Sequence, residues 1–242
     1  MCGIVGIYLK NKKLESSLGS LLSKMLINMS SRGPDSAGFA IYNEENDNRY
    51  KYSICINKIN YNDFEENIKK YFDNSELIKN SDHVIIKTPV KPIEVLKILK
   101  KNFKDVSIVG YGKSIEIFKQ VGNPIDVVKK FKLENYIGTH AIGHTRMATE
   151  SAITTNGSHP YSTGEDECLV HNGSLSNHNN LRRKLKKNGV NFNSENDTEV
   201  AAGYISNHLS KQKSLKETLN DGLKDLDGFY TFITGTRKGF AV

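Results

Sequence analysis

The second residue of the chain combines two groups that can do covalent chemistry. Cys2 follows Met1 and precedes Gly3 and a short apolar run. When Met1 is trimmed, as happens before small side chains, Cys2 carries both a thiol and an α-amine. Their ordinary pKa values are about 8.5 and about 7.7–8.0, so the amine can take the thiol proton near neutral pH. Cys2 is therefore a candidate nucleophile with its own base, and the alternative is an ordinary buried cysteine that begins a strand.

Three later segments place polar side chains at predicted strand ends or helix starts. Arg146 ends a predicted strand, and a buried guanidinium there needs either a structural ion pair or a substrate carboxylate. Asn172 and Gly173 are a turn signal by default, but an amide beside a glycine N–H can also supply the two donors of an oxyanion hole. Asp197 is predicted either as a helix N-cap or as a carboxylate that holds a substrate ammonium.

Strands and amphipathic helices must position these groups. Strands are predicted at 2–10, 37–42, 50–57, 115–121, 141–145, 169–171 and 229–234, and helices at 16–30, 125–131, 177–187, 198–209 and 215–223. We expect the strands at 37–42 and 50–57 to pair across the polar loop 43–48. Residues 60–112 alternate predicted helices and strands, which indicates a compact α/β insertion.

Composition limits the class of protein. The 242 residues are 37% hydrophobic and 25% charged, enough for a globular core. The net charge of +7 comes from scattered lysines, and the densest basic run, at 182–187, has no interleaved aromatic residues, so no nucleic-acid partner is predicted. Three distant cysteines without a CxxC pair are typical of a reducing compartment. With no leader and no apolar run of about 20 residues, we predict a cytoplasmic protein without a membrane partner.

The histidines do not predict a metal site. His140 and His144 are four residues apart, but no Glu follows His140 and the segment is predicted as a strand rather than a helix. His159 precedes Pro160 and is predicted to lie in a loop in or near the active-site wall. We therefore expect neither a metal nor another cofactor.

Taken in order, these segments resemble the class II glutamine amidotransferases, which are N-terminal-nucleophile hydrolases. The resemblance covers roughly residues 1–55 and 113–242 and implies an α+β fold, a four-layer αββα sandwich, for one domain over 2–242. The insertion at about 60–112 is unexplained and is expected as a small α/β lobe at one edge. Because the family fold normally continues with further strands, we expect either a C-terminally truncated domain or a short natural subunit. The matching segments are Cys2-Gly3-Ile4, Arg32-Gly33-Pro34-Asp35, His144-Thr145-Arg146-Met147-Ala148-Thr149, His159-Pro160, His171-Asn172-Gly173, Asn177-His178 and Asn196-Asp197-Thr198-Glu199.

The resemblance implies a covalent mechanism on L-glutamine. Cys2, after loss of Met1, attacks the side-chain amide, and its own α-amine is the general base. The Asn172 side chain and the Gly173 N–H stabilise the tetrahedral oxyanion, where removal of one donor typically costs about 10²–10³ in rate. Ammonia leaves, a γ-glutamyl thioester remains, and water releases glutamate.

The resemblance also assigns the groups that hold the substrate. Arg146 binds the α-carboxylate of glutamine with Thr149 close by, and Asp197 binds the α-ammonium, so two opposite charges select a free amino acid. Glu150 departs from the sugar-phosphate amidotransferases, which carry His there, and residue 147 carries Met in place of their Trp. The pocket wall is expected to include Arg32, Met147 and His159.

Details of the motifs resemble particular branches of the family. The segment 32–35 is closer to the asparagine synthetase version, whereas the segment 174–179 and the insertion look most like stand-alone amidotransferase subunits related to glutamate synthase. We therefore expect ammonia to pass to a separate, glutamate-synthase-like synthase subunit whose product is glutamate or N-methylglutamate. Two alternatives stay open: an N-terminal-nucleophile amidase acting on another amide, and a non-catalytic regulatory subunit that binds glutamine.

Overall fold

The computed structural model describes residues 2–43, 48–56, 59–148 and 152–242. The strands are β1 Gly3–Tyr8, β2 Ser36–Tyr42, β3 Tyr50–Cys55, β4 Glu76–Asn80, β5 His83–Thr88, β6 Ser107–Gly112, β7 Ile115–Val121, β8 His140–Arg146, β9 Glu167–Leu175, β10 Gly228–Thr236 and β11 Gly239–Ala241. The helices are α1 Leu18–Asn28, α2 Tyr61–Tyr71, α3 Pro92–Asn102, α4 Pro124–Lys130, α5 His178–Lys187, α6 Asp197–Leu209 and α7 Leu215–Asp225. None of the helices described is long and apolar enough to cross a membrane.

Two antiparallel sheets face each other at the centre of the molecule. The first sheet has the strand order β1–β8–β2–β7, and the second has the order β11–β10–β9. Helices α1 and α4 pack on the outer face of the first sheet, whereas α5, α6 and α7 form the layer outside the second. The predicted four-layer αββα sandwich is therefore confirmed.

Strand β2 shows why the first sheet is covered on both faces. All seven of its residues are buried, and successive side chains of a strand point to opposite faces. Phe39 and Ile41 pack in the cluster beneath α1 and α4, while Ala40 and Tyr42 pack between the two sheets. The near-continuous apolar sequence of β2 is what such two-sided burial requires.

A separate lobe contains β3, α2, β4, β5, α3 and β6 in chain order. Its sheet has the order β4–β5–β3–β6 with antiparallel neighbours, which is the split βαβ arrangement of ferredoxin-like folds. The expected pairing of strands 37–42 and 50–57 is wrong. Strands β7 and β8 occupy both sides of β2, and Tyr52 and Ile54 of β3 instead complete the lobe core beneath α2 and α3.

Buried polar contacts fasten the lobe to the sandwich. Lys51 of β3 is 1% exposed, and its Nζ donates to Glu116 Oε1 of β7 at 3.1 Å. Asp82, which precedes β5, receives a hydrogen bond from Lys130 Nζ of α4 at 2.9 Å. Ile85 adds an apolar contact by joining the core cluster of the first sheet. The lobe is thus held by ion pairs and apolar contacts together.

Candidate active site

Strand pairing places Cys2 beside the end of β8. Gly3 pairs with Thr145 and Ser36 pairs with Arg146, so the residue before β1 stands next to the residue that ends β8. The Cys2 side chain is partly exposed, and its Sγ lies 3.8 Å from the carbonyl oxygen of Met147. The thiol is therefore accessible at the point where the first sheet ends.

Two donors from different elements meet at the backbone of Cys2. Its carbonyl oxygen accepts hydrogen bonds from Arg32 Nε at 3.4 Å and from Asn172 Nδ2 at 3.3 Å. Asn172 belongs to the second sheet, so this contact joins the two sheets at the candidate nucleophile. The structure brings together Cys2, Arg32, Met147 and Asn172, four of the residues predicted from the sequence.

Strand β9 does not end at the Asn-Gly pair. Asn172 and Gly173 pair with Thr231 and Tyr230 of β10, and the strand runs on to Leu175, so a turn at this position is excluded. Gly173 has φ of +135°, and a Cβ there would lie 2.0 Å from the carbonyl oxygen of residue 229. Only glycine fits this strained, crowded backbone, which holds the Asn172 amide next to Cys2.

Asp197 is the first residue of α6, not its N-cap. The N-cap is Asn196, which has an extended backbone and whose side chain accepts from Thr198 N at 2.8 Å. The Asp197 carboxylate is already engaged with β9, since its Oδ2 accepts from Leu175 N at 2.9 Å. The acidic side chain therefore lies against the strand that carries Asn172.

Arg146 is 5% exposed, and its Nη1 lies 3.5 Å from the Ala152 carbonyl oxygen. The neighbouring backbone is held by Asp35, whose N–H donates to the Arg146 carbonyl and whose Oδ2 accepts from Ala148 N at 2.8 Å. Asp35 belongs to the matching segment 32–35, but the sequence predicts no role for it. Thr149, predicted near Arg146, lies outside the described residues, as does Glu150.

A cluster of buried histidines lies behind Asp197. His159, predicted for the pocket wall, is 5% exposed, and its ring stacks on His144 at 3.9 Å between centroids. His159 Nε2 and His171 Nδ1 each lie 2.9 Å from Thr198 Oγ1. Burial lowers the pKa of His144 to about 3 and the pKa of His159 well below its ordinary value, so both rings are neutral.

His171 and Thr198 were not singled out from the sequence as site residues. Both stand beside residues that were, at 172 and 197. Their contacts join β9 and the loop that carries His159 to α6, and such long-range contacts leave no periodic signal. The sequence offered one indication of their role, which is that each stands next to a predicted site residue.

A second group of candidate ligand side chains lies in the lobe. Cys55, Asp82 and His83 have potential ligand atoms within 4.8 Å of one another. Asp82 is already bonded to His83 Nδ1 at 2.9 Å and to Lys130 Nζ at 2.9 Å. The lysine supplies a positive charge where a metal ion would sit, so these side chains fit an internal ion-pair network better than a cation site.

Sequence comparison decides the family. Residues 144–240 match the glutamine amidotransferase domain. Over its whole length the chain is 49% identical to the glutamine amidotransferase-like protein GlxB of Rhizobium meliloti, covering 81% of that protein. The chain belongs to the class II glutamine amidotransferase family. The chain is also 33% identical, over all of its length, to a putative glutamine amidotransferase of Methanothermobacter thermautotrophicus, of which it covers 84%.

The fold of the chain also occurs in a solved structure. The glutamine phosphoribosylpyrophosphate amidotransferase of B. subtilis matches 98% of the chain with a TM-score of 0.54 and 19% identity. The chain spans 35% of that longer protein. At this identity the likeness concerns the sandwich fold, which is the architecture that brings residues 2, 146, 172 and 197 to one end of the two sheets.

Proposed function

We propose that the protein is a glutaminase that hydrolyses L-glutamine to glutamate and ammonia through a thioester on Cys2. The observation that carries the proposal is the meeting of a partly exposed Cys2, at the end of the first sheet, with the Asn172 amide of β9 in the second. A nucleophile and an oxyanion donor on different sheets are held together only by the fold, and their adjacency is what acyl transfer needs.

Each step of the proposed reaction uses a group of this site. After loss of Met1, the α-amine of Cys2 takes the thiol proton, and Sγ forms a bond to the side-chain carbonyl carbon of glutamine. Asn172 Nδ2 and Gly173 N–H donate to the oxyanion. The amine returns the proton to the leaving nitrogen, ammonia departs, and a water molecule cleaves the thioester to glutamate.

The substrate is held by its two charges. Arg146 is proposed to bind the α-carboxylate, since it ends β8 beside Cys2, and Thr149 follows it in the chain. Asp197 is proposed to bind the α-ammonium, because its carboxylate lies against β9. Binding both charges at a fixed separation selects a free amino acid over a peptide amide. The proposed pocket wall comprises Arg32, Met147 and His159.

We infer that the ammonia passes to a separate synthase subunit related to glutamate synthase. The motif continuation at 174–179 and the lobe resemble stand-alone amidotransferase subunits of that kind. We assign residues 2–242 to one amidotransferase domain, with the insertion at about 60–112 packed beside β3 in the lobe sheet. The expected behaviour is weak glutaminase activity alone and higher activity with the partner.

The test is the intact mass of the purified chain before and after incubation with 6-diazo-5-oxo-L-norleucine, a glutamine-like electrophile. We expect loss of Met1 and one adduct that peptide mapping places on Cys2. The matched controls are Cys2→Ala, which should take no adduct, and Cys168→Ala, which should still take one because Cys168 is 2% exposed. Retained Met1, or a trimmed chain without an adduct, would contradict the proposed nucleophile.

An amidase for another amide is the competing activity. A panel of L-glutamine, L-asparagine and γ-glutamyl amides distinguishes the two, since γ-glutamyl amides keep both α-charges of glutamine and differ only at the leaving nitrogen. Faster hydrolysis of a γ-glutamyl amide than of glutamine would favour the amidase. Binding of glutamine without turnover by a trimmed chain would favour a regulatory subunit.

A further inference from the structure

One hydroxyl joins two buried histidines to the acidic side chain of the proposed pocket. Thr198 Oγ1 lies 2.9 Å from His159 Nε2, 2.9 Å from His171 Nδ1 and 3.4 Å from Asp197 Oδ1. We infer that Thr198 is a positioning residue, which fixes the Asp197 carboxylate for recognition of the substrate ammonium. The inference rests on the proposed function, because it concerns how that site selects L-glutamine.

The hydrogen-bond partners of Thr198 determine which atom accepts its hydroxyl proton. A threonine hydroxyl has one proton to donate and two lone pairs to accept. The other ring nitrogens, His159 Nδ1 and His171 Nε2, are buried and have no hydrogen-bond partner among the described residues. A neutral histidine with one partnered nitrogen carries its proton there, so both rings donate to Thr198. The hydroxyl proton is then left for Asp197 Oδ1.

The two histidines are themselves fixed from behind. His144 Nε2 donates to the His171 carbonyl oxygen at 3.0 Å, and the His144 ring stacks on His159. The loop that carries His159 is clamped by Lys119, whose buried Nζ donates to the carbonyl oxygens of Ser158 at 2.8 Å and Pro160 at 3.2 Å. Thr198 is therefore held by groups that have little freedom to rearrange.

The remaining contacts of Asp197 show what this arrangement achieves. Asp197 Oδ2 accepts from Leu175 N at 2.9 Å, so each carboxylate oxygen has one donor from the protein. The Asp197 side chain is still 20% exposed, which leaves part of the carboxylate open to a ligand. Without the Thr198 hydroxyl only one oxygen would be fixed, and the carboxylate could rotate away from an ammonium group.

The experiment compares L-glutamine with glutaramate, which has the same amide and carboxylate but lacks the α-ammonium. The measured quantity is the ratio of kcat/KM for the two substrates. Thr198→Val removes the hydroxyl at similar volume. We expect this variant to lower the ratio about tenfold, because kcat/KM falls for glutamine and stays unchanged for glutaramate. Thr198→Ser keeps the hydroxyl and should retain the wild-type ratio within about twofold. A merely structural defect would lower kcat/KM equally for both substrates.

The outcomes separate the inference from the proposed function. A wild-type protein that does not hydrolyse glutamine contradicts the proposed function itself. If the wild-type protein prefers glutamine over glutaramate and Thr198→Val keeps that preference, the positioning role alone is overturned. If Thr198→Val does not fold, by circular dichroism and thermal melting, the pair His159→Leu and His159→Gln replaces it. Only the Gln variant keeps a donor for Thr198, so an equal ratio in both would overturn the inference.

Discussion

Cys2 and Cys55 both lie near groups that could activate a thiol, yet their surroundings have opposite consequences. Cys2 is partly exposed and lies where β1 begins and β8 ends, in contact with Asn172 of β9. Cys55 is 1% exposed and pairs across the lobe sheet with His83, which is completely buried and bonded to Asp82. The lobe thus contains a cysteine, a histidine and a carboxylate without room for a substrate. Access distinguishes the candidate site, whereas residue types alone would not.

The polar groups of the two regions also serve different purposes. In the lobe, Asp82 and Lys130 pair with each other across the contact with the sandwich, so their charges are satisfied within the protein. At the candidate site, the Asp197 carboxylate accepts hydrogen bonds from the Leu175 N–H and the Thr198 hydroxyl, which are uncharged donors. A carboxylate that is paired with a lysine stabilises the fold, whereas one that is held by uncharged donors keeps its charge for a ligand.

The largest effect is expected from removing the proposed nucleophile. Cys2→Ala should lower the rate of glutamine hydrolysis by about 10⁴ or more, since covalent catalysis is abolished when its nucleophile is lost. Cys55→Ala, the matched change in the lobe, should keep kcat within about twofold. The rate of ammonia release under saturating glutamine measures the activity of both variants. Full activity in Cys2→Ala, or equal loss in both variants, would break the comparison between the two cysteines.

A smaller effect is expected from the oxyanion donor. Asn172→Ala should lower kcat by about 10²–10³ with little change in KM, because the amide donates to charge that develops only in the transition state. Ser174→Ala is the control, since Ser174 is exposed and lies on the same strand face two residues further along. Steady-state kinetics with glutamine give both constants. A rise in KM with unchanged kcat would mean that Asn172 binds substrate instead.

A third prediction concerns the arginine at the end of β8. Arg146→Lys should raise KM for glutamine by about 10–100-fold, because a lysine cannot reproduce a two-pronged bond to a carboxylate. Hydrolysis of 4-aminobutanamide, which is glutamine without its carboxylate, should be unchanged. Kinetics with the two substrates therefore separate carboxylate binding from a structural ion pair. An equal loss with both substrates would support the structural role.

How far the sequence predicts this molecule depends on the range of the interactions involved. The sandwich strands and the helices follow from local patterns, and strand β7 occupies the predicted residues 115–121. The pairing of β3 with β2 was predicted wrongly because an apolar strand pattern does not identify the partner strand. Pairing depends on which strand edges are left open, and β7 and β8 close both edges of β2.

The site shows the same limit at the level of single residues. Asp197 was predicted as a helix N-cap and is instead the first residue of α6. The N-cap is Asn196, since both residue types cap helices and only backbone geometry distinguishes them. The hydrogen bonds from His159 and His171 to Thr198 cross 39 and 27 residues of chain. No local sequence pattern encodes contacts of this kind, so the hydrogen bonds that hold Thr198 are known only from the structure.

The smallest effect is expected from the lobe contact, and it concerns stability rather than activity. Burial acts to raise the pKa of Asp82, but hydrogen bonds from His83 and Lys130 outweigh it and lower the pKa to about 2. Because this is below the ordinary value of about 3.9, the carboxylate stabilises the fold above pH 4. That contribution is lost as the pH falls from about 4 towards 2.

Asp82→Asn tests this directly, since the amide can still accept from His83 but loses its charge. We expect the free energy of unfolding in urea to fall by about 1–2 kcal/mol at pH 7, and the difference from wild type to shrink below pH 4. Lys130→Met should have a similar effect, and the double variant should be no less stable than either single one. Glutamine kinetics should be unchanged in all three. A loss of turnover at unchanged stability would instead show that the lobe contact acts on the candidate site, and the contrast between the two regions would fail.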